Sequence, residues 1–138
     1  MIYTIDGAKG TGKTKRIIDQ ANESLNKVKG DIVFLSTTSR YRMEIKPQIK
    51  FIDVSAEKIN CKECLIGFVK GIICGNYDVE YIFIDGMYKM MGVALDSPEV
   101  AEFMATLDII SESRNVNFVL TVSCDRSEMP QFLLKYIK

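Results

Sequence analysis

The chain has 138 residues, 47% of them hydrophobic, which predicts a single domain over residues 1–138 whose core needs no metal or disulfide. Its 18 basic and 18 acidic side chains cancel, so no overall charge attracts nucleic acid or an anionic membrane surface. No apolar run approaches the roughly 20 residues of a membrane span, and a strand predicted from residue 2 leaves no room for a signal peptide, so we expect a cytoplasmic protein without a membrane partner.

The first predicted element is a short buried strand at residues 2–5, and an octapeptide with the sequence GAKGTGKT follows at residues 7–14. The octapeptide fills every fixed position of the phosphate-binding pattern G-x-x-x-x-G-K-[ST]. Its glycines let backbone N–H groups point at phosphates, while Lys13 reaches the β- and γ-phosphate oxygens and the Thr14 hydroxyl binds Mg²⁺. The residues predicted to contact a nucleoside triphosphate are Gly7, Ala8, Lys9, Gly10, Thr11, Gly12, Lys13, Thr14 and Lys15.

A helix is predicted over residues 13–28, because apolar side chains recur on one face and Gly30 is a suitable stop. That face comprises Ile17, Ile18, Ala21, Leu25 and Val28. The phosphates would then lie at the positive end of the helix dipole, where backbone donors and Lys13 add to it. Strand, loop and helix together form the setting that the motif requires.

Alternating strand-like and helix-like segments predict an α/β fold in three layers with a mostly parallel sheet of about five strands. Residues 32–35 and 51–54 are predicted strands, residues 41–45 a loop or minor edge strand, and residues 57–73 a helix ending near residue 75. The chain has no histidine and only one close cysteine pair, Cys61-x-x-Cys64. We therefore expect Cys61, Cys64, Cys74 and Cys124 to be buried free thiols, ahead of redox chemistry and of metal binding.

Residues 81–84 are four bulky side chains followed by Asp85, a pattern typical of a Walker B strand. A buried strand would place Asp85 at its C-terminal end beside the phosphate loop, where the carboxylate can hold Mg²⁺ directly or through water. Thr14 and Asp85 are therefore the predicted metal ligands.

A further helix is predicted to start at residues 96–99, followed by a strand at residues 116–122 and a short terminal helix. The buried face of the first helix should comprise Val100, Phe103, Met104, Leu107 and Ile110. The terminal helix carries the apolar residues Leu133, Leu134 and Ile137. Ligands of such sheets bind beyond the carboxyl ends of the strands. This rule gathers residues 7–14, Thr37, Thr38, Asp53, Asp85 and Ser123 at one edge of the sheet.

With GAKGTGKT at 7–14 and YIFID at 81–85, the chain resembles the additional-strand class of P-loop NTPases, which has a RecA-like core and includes thymidine kinases. More closely, it is similar to small bacterial proteins with a generic ATP-binding or twitching-motility label. The resemblance implies that the strand at 116–122 lies between the P-loop strand and the Asp85 strand, with Ser123 or Thr121 near the γ-phosphate. The base cannot be read from the sequence, but no N-K-x-D guanine signature occurs, so ATP with Mg²⁺ is the expected ligand and GTP stays an alternative.

One departure from this class concerns the residue after Asp85. Hydrolytic members commonly have Glu there, whose carboxylate orients the attacking water, whereas this chain has Gly86. Asp53 or Glu80 could replace that base only within hydrogen-bond reach of the water, and Asp53 joins Lys13 and Asp85 as a catalytic candidate. We therefore expect slow or partner-dependent hydrolysis.

Three functions stay open at this point. The chain is a weak NTPase or switch that needs a protein partner or a second copy of itself, a thymidine-kinase-like small-molecule kinase, or a binding-only nucleotide sensor. A kinase would use residues 87–91 on its acceptor side, although the methionines there fit core packing equally well. Candidate cations for the transferring phosphoryl group are Arg16, Arg40, Arg114 and Arg126, and Lys9 could contact phosphate or a neighbouring subunit.

Overall fold

Five parallel strands form the centre of the fold in the computed structural model, which describes residues 1–137. They are β1 (Ile2–Gly7), β2 (Asp31–Ser36), β3 (Lys50–Asp53), β4 (Val79–Ile84) and β5 (Asn117–Ser123). Their order in the sheet is β1, β5, β4, β2, β3, and every neighbouring pair is parallel. The predicted α/β fold is confirmed, and β5 lies between the strand before the GAKGTGKT loop and the strand before Asp85, as the resemblance implied.

Helices cover both faces of the sheet. They are α1 (Lys13–Ser24), α2 (Lys62–Gly75), α3 (Met87–Met91) and α4 (Pro98–Arg114), with 3-10 turns at Arg42–Glu44, Arg126–Glu128 and Gln131–Tyr136. Because successive side chains of a strand point to opposite faces, Ile32 and Phe34 of β2 pack with α1, whereas Val33 and Leu35 pack with the other three helices. This double burial explains the continuous apolar run in β2 and produces the three predicted layers.

The end of α1 differs from the prediction, because the helix stops at Ser24 rather than at residue 28. The Ser24 hydroxyl donates a 2.7 Å hydrogen bond to the Gln20 carbonyl, a local bond of the kind that competes with helix continuation. Leu25 and Val28 follow the helix but still pack against the same hydrophobic cluster as α1. The apolar spacing therefore identified core residues correctly but overestimated the length of α1.

The start of α2 also differs, because the helix begins at Lys62 rather than at residue 57. Lys58 has a φ of 53°, in the left-handed region that interrupts a right-handed helix. Cys61 is the N-cap, and its sulfur accepts the backbone N–H of Cys64 at 3.3 Å. Ile59 packs against the core from the preceding loop, which made the apolar pattern look longer than the helix is.

The prediction of buried cysteines is wrong. Cys64 and Cys74 are exposed and Cys61 and Cys124 are half-buried, all four as free thiols. The buried row of α2 consists of Leu65, Val69 and Ile73, which repeat every fourth position along one face. Cys64 and Cys74 each lie one position outside that row, and one position on a helix turns the side chain away from the core.

The structure decides one open alternative and confirms one predicted buried face. The methionines of α3, Met87, Met90 and Met91, belong to the hydrophobic core. The predicted face of α4 is buried at all five positions, Val100, Phe103, Met104, Leu107 and Ile110. Packing of α3 and α4 onto the same side of the sheet fixes the turn that follows Asp85.

The terminal segment forms the 3-10 turn Gln131–Tyr136 instead of an α-helix. Leu133 is fully buried there, whereas Leu134 is 38% exposed, because three residues per turn bring only part of the predicted apolar set to the core. Within residues 1–137, no helix has both the length and the apolar character needed to cross a membrane.

Candidate functional site

The loop between β1 and α1 is built around glycines that no other residue can replace without strain. Gly7 has a φ of 151°, and a Cβ atom there would lie 2.5 Å from the Thr11 hydroxyl oxygen. Gly10 and Gly12 have φ values of 84° and 82°, in the left-handed region that favours glycine. The backbone therefore curls back on itself directly before α1 begins at Lys13.

Lys13 lies at the centre of this loop and is only 8% exposed. Its ammonium group donates a 3.0 Å hydrogen bond to the Ala8 carbonyl, which also accepts a 2.7 Å bond from the Thr11 hydroxyl. Burial, and next the nearby charge of Lys89, lower the pKa of Lys13. A lysine under these conditions gains most from a negatively charged ligand, because such a ligand offsets both effects.

Asp85 directly follows β4, and two threonines hold its carboxylate. Thr14 Oγ1 donates to Asp85 Oδ2 at 3.1 Å, and Thr121 Oγ1 donates to Asp85 Oδ1 at 2.7 Å. Thr121 in turn accepts the backbone N–H of Gly86 at 3.0 Å. The carboxylate is therefore oriented between the first turn of α1 and strand β5, which lies between β1 and β4.

A cavity of about 690 Å³ opens at this edge of the sheet. From the loop and the start of α1 it is lined by Lys9, Gly10, Gly12, Lys13, Thr14 and Lys15. From the ends of the other strands it is lined by Thr37, Thr38, Asp85 and Ser123. Gly7, Ala8 and Thr11 belong to the loop but do not line the cavity. Of the other residues that the strand-end rule placed at this edge, Thr37, Thr38, Asp85 and Ser123 line the cavity and Asp53 does not.

Asp53 is outside this cavity, which corrects its assignment as a catalytic candidate. It ends β3, the outermost strand on the far side of β2 and β4. Its Oδ1 accepts the Ser55 backbone N–H at 2.9 Å, and hydrogen bonds from Ser55 lower the pKa of the Asp53 carboxyl. Asp53 therefore stabilises a local turn at the edge of the sheet.

Glu80 is outside the cavity as well, since it lies near the start of β4 and the cavity lies beyond the end of that strand. Its Oε2 accepts the backbone N–H groups of Lys29 and Gly30, the first at 2.9 Å. Neither of the two substitute bases considered from the sequence reaches the site.

The candidate arginines have separate positions. Arg40 lines the cavity and stacks its guanidinium over the Tyr41 ring, 5.6 Å from the centroid. Arg126 forms a salt bridge of 3.2 Å with Asp6, and Arg16 donates to the Asp6 carbonyl at 3.1 Å. Arg114 lies away from the cavity, near Cys74. Arg40 is therefore the arginine placed to meet a bound anion.

Sequence reasoning named residues 87–91 as the acceptor-side loop of a kinase but did not single out Lys89, which lines the cavity from α3. Gly86 has a φ of 87° and starts α3 as its N-cap, so the chain turns sharply after Asp85 and returns Tyr88 and Lys89 to the cavity. The glycine after the strand-end aspartate was a signal for such a turn, because a left-handed residue there redirects the chain.

No protein-family model matches this chain, and no curated protein matches its sequence. Among solved structures, it is similar to the flagellar accessory protein FlaH from Methanocaldococcus jannaschii, with 15% sequence identity and a TM-score of 0.55. The match covers 96% of this chain and 64% of the FlaH chain, so this chain spans less than two thirds of that protein. At this identity the likeness establishes the fold: the chain has an α/β fold of the RecA type.

Proposed function

We propose that this protein binds a nucleoside triphosphate, ATP in the first place and GTP as the alternative, together with Mg²⁺. The observation that carries the proposal is the hydrogen bond between Thr14 and Asp85, beside the glycine loop and the buried Lys13. A hydroxyl and a carboxylate from distant parts of the chain meet where the loop and the α1 N-terminus offer donors to phosphate.

The phosphates are held by three groups in this proposal. Backbone N–H groups of residues 8–14 surround them, Lys13 exchanges its bond to the Ala8 carbonyl for phosphate oxygens, and the positive end of α1 adds its dipole. Lys9, Lys15 and Lys89 line the cavity and add positive charge around the same position. These contacts favour a triphosphate over ligands of smaller negative charge.

The oxygens of Thr14 and Asp85 fit Mg²⁺, which prefers one or two protein oxygen ligands together with phosphate oxygens and water. Thr14 would bind the ion through its hydroxyl, and Asp85 through its carboxylate or a water molecule. Thr121 keeps the carboxylate oriented during this exchange. When bound, Mg²⁺ would neutralise part of the negative charge on the β- and γ-phosphates.

Hydrolysis is slow or depends on a partner in this proposal. Among the described residues, the carboxylates lining the cavity are Asp85 and Glu44, and the first is engaged by two threonines while the second is exposed. A base positioned for the attacking water would have to come from a protein partner or a second copy of the chain. With such a partner the protein acts as a weak NTPase or a nucleotide-dependent switch.

Thermal unfolding tests the binding proposal. ATP with Mg²⁺ at about a hundred times its dissociation constant should add about 2.7 kcal/mol to the free energy of unfolding and raise the Tm by several degrees. The Lys13→Ala variant should show a much smaller rise. An equal rise in both proteins would contradict the proposed site.

Phosphate release from ATP and GTP then tests the proposal of slow hydrolysis. We expect a rate far below the roughly 10 per second of a typical enzyme, and abolition of that rate in Lys13→Ala. A typical rate in the isolated protein would contradict the dependence on a partner. Binding without any release would favour the nucleotide sensor.

A further inference from the structure

Two cysteine sulfurs at the start of α2 form a cluster that the nucleotide site does not use. The sulfurs of Cys61 and Cys64 lie 2.9 Å apart, within hydrogen-bond distance of each other. A disulfide bond is about 2.05 Å long, so a shift of about 0.9 Å would bring the sulfurs to bonding distance. Cys64 is exposed and Cys61 is half-buried, which leaves the pair accessible to small molecules.

The surroundings of the pair distinguish the two sulfurs. Cys61 is the N-cap of α2, a helix of 14 residues, and its sulfur accepts the backbone N–H of Cys64 at 3.3 Å. This donor and the positive end of the helix lie at the Cys61 sulfur, which makes Cys61 the sulfur that attacks first. The hydrogen bond with Cys61 raises the pKa of the Cys64 thiol.

Lys62, the residue after Cys61, forms ion pairs with glutamates rather than with the cysteine sulfurs. Lys62 forms salt bridges with Glu102 and with Glu63, and the bond to Glu102 raises the pKa of Lys62. Lys62 therefore ties the start of α2 to α4. The backbone that holds the two sulfurs together is fixed on its α4 side while the sulfurs face solvent.

We propose that Cys61 and Cys64 form a redox-active dithiol that closes reversibly to a disulfide by exchange with a low-molecular-weight disulfide such as oxidised glutathione. The Cys61 thiolate attacks one sulfur of that disulfide, whose S–S bond breaks and releases one thiol after protonation by solvent. Cys64 then releases its proton to solvent, and its thiolate attacks the Cys61 sulfur, breaks the mixed disulfide and displaces the second thiolate, which solvent protonates. The protein dithiol is oxidised by two electrons, and the small disulfide is reduced to two thiols.

Oxidised glutathione tests this proposal on a Cys74→Ser/Cys124→Ser protein, which retains only the pair. Intact mass and peptide mapping should show loss of both thiols, no retained glutathione and a bond between residues 61 and 64 that dithiothreitol reverses. With Cys64→Ser added, the reaction should stop with glutathione on Cys61. Separate glutathione adducts on Cys61 and Cys64 of the parent protein would overturn the proposal.

The rate of modification gives an independent readout with a matched control. Cys74 is also exposed and lies on the same helix, away from its N-terminus and without a neighbouring sulfur, but Arg114 lies beside it. The control therefore also carries Arg114→Met, and Cys61 in the Cys64→Ser background should react at least about tenfold faster than Cys74 in a Cys61→Ser/Cys64→Ser/Arg114→Met protein. Equal rates would overturn the special reactivity of Cys61, and circular dichroism confirms that each variant is folded.

Discussion

Thr14 and Asp85 lie 71 positions apart in the sequence, and the Thr14 hydroxyl donates a hydrogen bond to the Asp85 carboxylate at 3.1 Å. Strand β5 lies between β1, which precedes the loop, and β4, which precedes Asp85. Its Thr121 hydroxyl donates to the other carboxylate oxygen. The insertion of β5 between β1 and β4 therefore has a direct consequence at the site. Strand β5 separates β1 from β4, and its Thr121 side chain orients the Asp85 carboxylate.

The Asp85→Asn variant should lose the Mg²⁺ dependence of ATP binding. An amide can keep both threonine contacts, because its oxygen accepts from Thr121 and its nitrogen donates to Thr14, but it carries no charge for the cation. The ratio of ATP affinities with Mg²⁺ and with EDTA should fall about tenfold or more. Asp53→Asn is the matched control, since Asp53 ends another strand outside the cavity, and an equal loss in that variant would contradict the assignment.

The Lys89→Met variant should bind ATP more weakly, because Lys89 lines the cavity and its charge is felt at Lys13. We expect affinity to fall about three- to tenfold at low salt, with a smaller difference at high salt, where the charge is screened. Lys70→Met removes an exposed lysine outside this cavity and should leave affinity unchanged. Identical affinities for all three proteins at low salt would show that Lys89 does not meet the ligand.

Two glycine substitutions should change stability in opposite directions. Residue 7 has a φ of 151°, and Gly7→Ala puts a Cβ atom 2.5 Å from the Thr11 hydroxyl oxygen. This substitution should lower the free energy of unfolding by about 1–3 kcal/mol. Gly67 lies inside α2 with open space around it, so Gly67→Ala should raise the free energy of unfolding by about 0.5–1 kcal/mol. Urea unfolding of both variants checks the pair, and a Gly7→Ala protein as stable as the wild type would refute the required loop geometry.

The Tyr136→Phe variant should reveal a pH-dependent contribution to stability. Tyr136 is 7% exposed and its hydroxyl donates to Asp108, so the variant should be about 1–2 kcal/mol less stable near neutral pH. Tyr77→Phe is the control, because Tyr77 is 86% exposed.

The direction of the pH effect follows from the pKa. Burial, and next the bond to Asp108, raise the pKa of Tyr136 above its ordinary value of 10.0. Above that pH the unfolded chain loses the proton first, so the stabilising contribution is complete below about pH 10 and declines as the pH rises. Urea unfolding from about pH 9 to about pH 11 should therefore show the wild type and Tyr136→Phe converging. A constant difference over that range would disprove the contribution.

The sequence predicted the parts of the fold that depend on short local patterns. The glycines and Lys13 of the loop follow from a contiguous motif, and the apolar strands from unbroken runs that end in polar residues. Helix ends were less accurate, because Leu25 and Ile59 pack on the core from loops and look like helix residues in the pattern.

The composition of the candidate site could be predicted only in part, because it depends on strand order and turn direction. Asp53 ends β3 and Asp85 follows β4 at the same edge, but β3 is the outermost strand and Asp53 is outside the cavity. Lys89 approaches the cavity through the turn at Gly86, a three-dimensional consequence of one dihedral angle. Neither feature can be read from residue spacing.

Calorimetric titration with ATP and Mg²⁺ tests the central claim most directly, in the wild type, Lys13→Ala and Lys27→Ala. Lys27 follows α1, is exposed and lies outside the cavity, so its variant controls for loss of a positive charge. We expect saturable binding by the wild type and Lys27→Ala, and binding at least about tenfold weaker by a folded Lys13→Ala protein. Equal affinities for the wild type and Lys13→Ala, or no binding by the wild type, would contradict the proposed triphosphate site.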